Sequence, residues 1–160
     1  GRRIIVRRHA QHHVMKVPGL RSSYEKVGGI VYFGRMLDKI RLHASGRLPE
    51  GYNLGTKVWT WFDARCTRFL AVEYEALVQR VLRGGTDQDI LAWCFEHGRR
   101  PSEEDIEIWN DFMVKRGWRD SSTAVVAEAK RLRGFAHRDD IQTAFEFHLA
   151  DESSDDTPAA

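Results

Sequence analysis

Long apolar runs are scarce in this chain. The longest span only a few residues, far short of the roughly 20 that a membrane-crossing helix needs, so no membrane span is expected. Cysteine is nearly absent too. The two present, Cys66 and Cys94, come with no signal-peptide pattern, which points to free thiols and a cytoplasmic setting. Catalytic and nucleotide signatures are missing: there is no GxGxxG, GxxxxGK[ST], HExxH or GxSxG, so no sequence motif nominates a phosphate cradle, a zinc protease or a nucleophile elbow. No run alternates convincingly as a strand, the nearest being Val58 to Phe62.

What is present describes a globular protein. The 160 residues are 42% hydrophobic and 30% charged, with five tryptophans, and a chain of this size buries about two thirds of its unfolded surface. The net charge of +2 conceals an asymmetry: residues 1–16 carry five basic residues and no acid, 151–160 carry four acids and no base, and the body between is nearly neutral. Residues 1–14 are expected to be a basic, disordered extension or translated sequence upstream of a start at Met15. Two other readings of this stretch are a phosphate-binding arm and, through His9, His12 and His13, a metal-binding tract. A helical domain is expected over 15–150 and an acidic disordered tail over 151–160.

Helix punctuation marks the body. A long amphipathic helix is predicted from about Ser23 to Ala44, with Val27, Ile30, Val31, Leu37 and Leu42 on one arc and Gly46 and Pro49 at its end. Asp63 is placed as the cap of a short helix through Leu70. Glu73 to Arg83 follows, closed by Gly84-Gly85. Thr86 with Asp89, and Ser102 with Asp105, form capping-box starts for helices over Asp87 to His97 and from Ser102 toward Gly117. Two more are predicted over about Ser122 to Arg133 and Asp139 to Leu149. The fold class is therefore all-α, a compact single domain of six or seven short helices.

The strings LRSSYEKVGGIVYFGRMLDKIRLHASGRLP, FDARCTRFLAVEYEALVQRVLRGG, ILAWCFEHGRRPSEEDIEIWNDFMVKRGWRD and DIQTAFEF resemble a bacterial family catalogued as a domain of unknown function, number five thousand and sixty-nine. The likeness runs from about Met15 to Phe147. It implies a start near Met15 and a proline where this chain has Ser23; it implies no activity, because none is assigned to the family.

Asp38 and Arg41 fall inside the apolar arc of the first helix beside Gly34, and charge there needs a partner. One reading is a structural pair that fixes how a neighbouring helix docks; the other is a hollow over Asp38, opened by Gly34, that holds a polar or anionic small molecule between the carboxylate and the Arg41 guanidinium. In an enzyme, Asp38 would be acceptor or general base, Arg41 and Arg65 anion clamps, and His43 or His97 the proton donor. His43 shares a different sector with Tyr32, Met36 and Lys39. Cys94 and His97 are three apart, a spacing that suits a thiol and its base or two metal ligands; completing a zinc site would require Cys66, His43, Asp63 or His137 at spacings that follow no pattern, so no metal and no cofactor are expected. Arg99 and Arg100 precede a helix whose first turn is already acidic, and are expected to pair with those acids. Trp59, Trp61 and Phe62, with Arg65 and Arg68 after them, read either as a loop folding into the core or as a stacking surface. Three functions remain: a small-ligand pocket or enzyme on the first helix, which ranks first because charge on an apolar helix face needs a partner; a protein-interaction module with a Trp-rich patch as the alternative; and a nucleic-acid binder through the basic arm, which is the least expected.

Overall fold

The computed structural model describes residues 16–153. Its ordered elements are a two-stranded hairpin and, among the described residues, seven helices: β1 (Lys26–Val27), β2 (Ile30–Val31), α1 (Phe33–Ala44), α2 (Phe62–Leu70), α3 (Tyr74–Leu82), α4 (Asp87–His97), α5 (Glu103–Lys115), α6 (Thr123–Leu132) and α7 (Ala144–Ser153). The all-α class holds, and the sequence from Phe62 onward is helical close to where capping residues place it. The expectations for 1–14 and for the end of the acidic tail lie outside the described residues.

The long first helix is corrected. Gly28 and Gly29 both have positive φ, +57° and +79°, the pairing that a two-residue type I′ hairpin turn requires. Val27 faces Ile30 and Lys26 faces Val31 in antiparallel register, so helix α1 starts only at Phe33. The apolar residues that fit a helical arc fit a short buried hairpin equally well, and the glycine pair decides between them. Ser23, predicted as the start of that helix, instead lies buried in the approach to the hairpin, where its carbonyl accepts from the Tyr32 N–H at 3.0 Å. Gly28 also packs tightly: a Cβ there would stand 2.3 Å from the Leu91 side chain of α4.

The described residues form two compact units, one of residues 19–48 and 52–111, the other of residues 16–18, 49–51 and 112–153. In the first unit β1 packs on α1 and on α4, α1 packs on α3, and α3 on α4. Its fully buried side chains include Ile30, Phe33, Met36, Leu37, Leu70, Leu77 and Ile90. Phe69 stacks on Trp109 with centroids 4.7 Å apart, and Asn110 fastens the hairpin by accepting from the Val31 N–H and donating to the Gly29 carbonyl. Capping boxes start α4, where Thr86 and Asp89 exchange hydrogen bonds, and α5, where Ser102 and Asp105 do the same.

In the second unit α6 packs on α7. Lys130 donates to the carbonyls of Arg138 and Ile141, at 2.6 and 2.8 Å, and so ties down the segment between the two helices. The last helix is also corrected. It begins at Ala144, not Asp139, because the Thr143 hydroxyl accepts from the Glu146 N–H while the Glu146 carboxylate reaches back to Gln142 and Thr143. It runs on through Asp151, whose carboxylate pairs with Arg133, to Ser153.

Candidate functional site

Helix α1 carries two polar clusters on consecutive residues. In the first, Arg21 supplies what Asp38 lacks: its backbone N–H, Nε and Nη2 reach the Asp38 carboxylate at 2.9, 2.8 and 3.0 Å, and its Nη1 reaches Asp87 at 2.6 Å. Arg41 closes the ring with 3.4 Å to Asp38 and 2.9 Å to Asp87. Two carboxylates and two guanidiniums thus tie the approach to the hairpin, α1 and the first turn of α4 into one neutral network. The Asp38 hydrogen bond is the largest influence on the Arg21 guanidinium and raises it further above its ordinary value. Burial pushes the Asp87 carboxyl up, but the hydrogen bonds of Arg21 and Arg41 outweigh it and hold the group below the usual range.

Gly34 serves this network. A Cβ there would stand 2.8 Å from Arg21 Cζ and 3.1 Å from Val27 Cγ2, and Arg21 Nη2 donates to the Gly34 carbonyl. Instead of an open hollow over Asp38, the side-chain-free position seats the Arg21 guanidinium.

The second cluster starts from Lys39, which points from α1 toward α2. Its Nζ lies 2.8 Å from Asp63 Oδ1 and donates to the Asn53 carbonyl at 2.6 Å; the two side chains are 5% and 0% exposed. The Tyr32 hydroxyl donates to the same carboxylate oxygen at 2.5 Å and the Gly55 N–H to the other at 2.8 Å. Asp63 is therefore not the cap of α2. It sits in the first turn with its carboxylate aimed inward, and Trp61 occupies the cap position. Burial pulls the Lys39 ammonium below its ordinary value against the attraction of Asp63, and pushes the Tyr32 phenol and the Cys66 thiol well above theirs. Tyr32 itself has φ +72°, a left-handed conformation that costs a non-glycine residue of order 1 kcal/mol or more. Neither Tyr32 nor Lys39 was a predicted site residue. The signal that points to both is geometric, since their shared partner Asp63 is far away in sequence.

The third feature is the loop before α2. Trp59 is 68% exposed, with the guanidiniums of Arg65 and Arg68 at 5.3 and 5.9 Å from its ring centroid. Arg65 Nε donates to the Thr60 carbonyl and Arg68 Nη2 to the Trp59 carbonyl, so both arginines brace the backbone that presents the ring. Trp61 is half-buried. Of the predicted ligand-binding residues, Trp59 and Arg65 meet here.

The remaining candidates are dispersed. His43 is exposed in the last turn of α1. His97 is exposed at the end of α4, stacked on Trp93 at 4.8 Å. Cys94 is buried, and burial pushes its thiol up to about 12, which suits packing rather than nucleophilic attack. Arg99 lies 3.6 Å from Asp105, as expected, and Arg100 lies over the Phe95 ring. Among the described residues no group of three or more His, Cys, Asp or Glu side chains is placed to hold a metal ion, and no helix is long and apolar enough to cross a membrane. An open depression of about 410 Å³ beside the hairpin turn is lined by Lys26, Gly28, Glu103, Glu107, Asn110 and Asp111, none of them a predicted site residue.

Fold and polar clusters define the class: a small helical domain with one neutral ion-pair ring, one buried Tyr–Asp–Lys cluster and one arginine-braced tryptophan. The chain belongs to the family described as Domain of unknown function (DUF5069), whose model matches residues 17–154. A search of the curated proteins finds no match.

Proposed function

We propose that this chain is a protein-interaction module that anchors its partner through Trp59, with Arg65 and Arg68 as flanking charges. The observation that carries this reading is the braced exposure of Trp59. A tryptophan left largely in solvent while two arginines hold its backbone is already fixed in place, so little ordering entropy is lost on binding. Tryptophan and arginine are also the residue types that dominate interface energetics. A ring that stands out from the surface suits a partner's pocket better than it suits a small molecule, which needs a concave site to bury most of its own surface.

Charge gives the partner's character. Over residues 52–71 the cations are Lys57, Arg65 and Arg68, and the sole acid, Asp63, is buried against Lys39. The partner surface is then an apolar pocket with an acidic rim. The pocket reading on Asp38 and Arg41 ranks behind, because those charges already meet Arg21 and Asp87.

The test is a photo-crosslinking amino acid at position 57 in living cells, followed by purification of the captured polypeptide and titration against the free protein. Trp59→Ala should weaken binding about 30-fold or more, the roughly 2 kcal/mol that defines an interface hot spot, and Arg68→Glu should slow association most at low salt. No discrete crosslink, or an affinity that Trp59→Ala leaves within twofold, overturns the reading.

A further inference from the structure

We propose, resting on the Trp59 reading, that the partner is a second copy of this chain. Its open depression beside the hairpin turn receives the Trp59 ring, and the acidic rim of that depression meets Lys57, Arg65 and Arg68.

The depression has what the Trp59 surface requires. Its volume of about 410 Å³ lies within the roughly 300–1,000 Å³ of sites that bury a small molecule, and an indole is smaller than most such molecules. Ile106 and Gly29 contribute apolar lining, and the space over Gly29 is open, since a Cβ there would meet nothing within 4 Å. Glu103, Glu107 and Asp111 line the depression from successive turns of α5, with Lys26 as the one cation among the lining residues. Like charges one turn apart weaken a helix, and among the described residues no ion pair relieves these three.

Both halves are set before they meet. Hairpin and α5 are stitched together beside the depression: Asn110 accepts from the Val31 N–H and donates to the Gly29 carbonyl, and Trp109 Nε1 donates to the Val31 carbonyl at 3.1 Å. On the other surface Arg65 and Arg68 brace the backbone that presents Trp59. Little has to be ordered on contact, which leaves more of the interaction energy as affinity.

Charge complementarity selects the second copy. Lys57, Arg65 and Arg68 around the ring oppose Glu103, Glu107 and Asp111 around the depression, and opposite potentials on two surfaces of one chain steer its copies together. Trp59, 68% exposed, does not fill the depression of its own chain, so ring and depression both stay open to another copy. Because they are different surfaces, the contact is head-to-tail: two copies close on each other, or addition continues into a ring or an open chain. One ring in one depression is smaller than the ~800 Å² per partner of a standard interface, so the association is reversible and depends on concentration.

The experiment is sedimentation equilibrium of the full chain from about 10 µM to about 1 mM, where weak contacts register. The weight-average mass should rise above the monomer's 18.5 kDa with concentration and fall back in molar salt. Trp59→Ala removes the ring and Glu107→Arg reverses the rim; both positions are exposed, and circular dichroism checks that both variants fold. Each alone should self-associate at least tenfold more weakly than wild type. Mixed, they should bind each other at least tenfold more tightly than either binds itself, because one keeps the depression and the other keeps the ring. A mass that stays at the monomer's overturns the second copy, and the Trp59 reading then stands if position 57 captures a different polypeptide in cells. Self-association that Trp59→Ala leaves within twofold overturns this contact and counts against Trp59 itself. Self-association that Trp59→Ala abolishes and Glu107→Arg leaves within twofold overturns the depression as the seat and keeps the Trp59 reading.

Discussion

Asp38 and Lys39 are neighbours on one helix, yet they belong to two polar clusters built on opposite terms. The Asp38 ring joins two carboxylates to two guanidiniums at the surface of α1, with Arg41 about a third exposed and Asp87 20% exposed. The Lys39 cluster joins one amine, one carboxylate and one phenol in the interior. Water still screens the first, so its worth is mainly geometric: it fixes how the approach to the hairpin and the start of α4 meet α1. In the second, every partner that is removed strands a buried group. Similar pairings therefore differ in what breaking them does.

The largest expected effect tests that difference directly. Asp63→Ala strands the Lys39 amine, the Tyr32 hydroxyl and the Gly55 N–H together, and should lower the urea-unfolding free energy by about 3–5 kcal/mol, the usual cost of breaking a buried ion pair. Asp38→Ala should cost less, since Arg21 and Arg41 keep Asp87. In the double variant Lys39→Met/Asp63→Leu much of the loss should return, because no buried charge is then left unmatched. Equal losses for Asp63→Ala and Asp38→Ala would remove the contrast.

The alkaline stability profile comes next. The folded chain holds the Lys39 proton less tightly than the unfolded chain does. Between the lowered folded value and the ordinary 10.5 the unfolded state therefore binds more protons, and stability rises with pH. Tyr32 acts the other way: its phenol is raised above 10.0, so from about that pH upward the unfolded phenol ionises first and stability falls. Chemical denaturation from pH 7 to 11 should show both limbs. Lys39→Met should erase the rising one.

The two clusters were unequally legible in the sequence, for a physical reason. Asp38 and Arg41 stand out because charge on an apolar arc at helical spacing is a local pattern. Their partners Arg21 and Asp87 are not local to them, and no periodicity links them. Asp63 is visible as a helix-start residue, a role that many aspartates fill, while its actual bonds to Lys39 and Tyr32 cross more than twenty residues of chain. The capping boxes at Thr86 and Ser102 were readable because both halves lie within one turn. The hairpin is ambiguous in sequence because Val27, Ile30 and Val31 satisfy two periodicities at once, and only Gly28-Gly29, both at positive φ, distinguishes them.

Acid and salt sharpen the surface side of the comparison. Asp87 is held below its ordinary 3.8, so it contributes stability that is present above that pH and is lost as pH falls through the folded value. After solvent screening the contribution is about 1 kcal/mol or less. Asp87→Asn should flatten that acid limb, and molar salt should erode the wild-type advantage over the variant. Salt should leave the difference between wild type and Asp63→Ala nearly untouched.

The smallest effect is the most diagnostic of how the surface ring is seated. Gly34→Ala replaces a helical glycine, a change that elsewhere gains up to about 1 kcal/mol. Here the new methyl would meet Arg21 Cζ at 2.8 Å. The guanidinium is the far end of a flexible side chain and can swing aside, giving up its bond to the Gly34 carbonyl and loosening its grip on Asp38. Gain and loss oppose each other, so the net change at low salt should stay below about 1 kcal/mol, while the salt sensitivity of stability should shrink because the ring that salt weakens is already loosened. A loss of several kcal/mol would mean that Arg21 cannot move. The Asp38 ring would then be as rigidly determined as the Lys39 cluster, and burial alone would no longer account for the contrast between them.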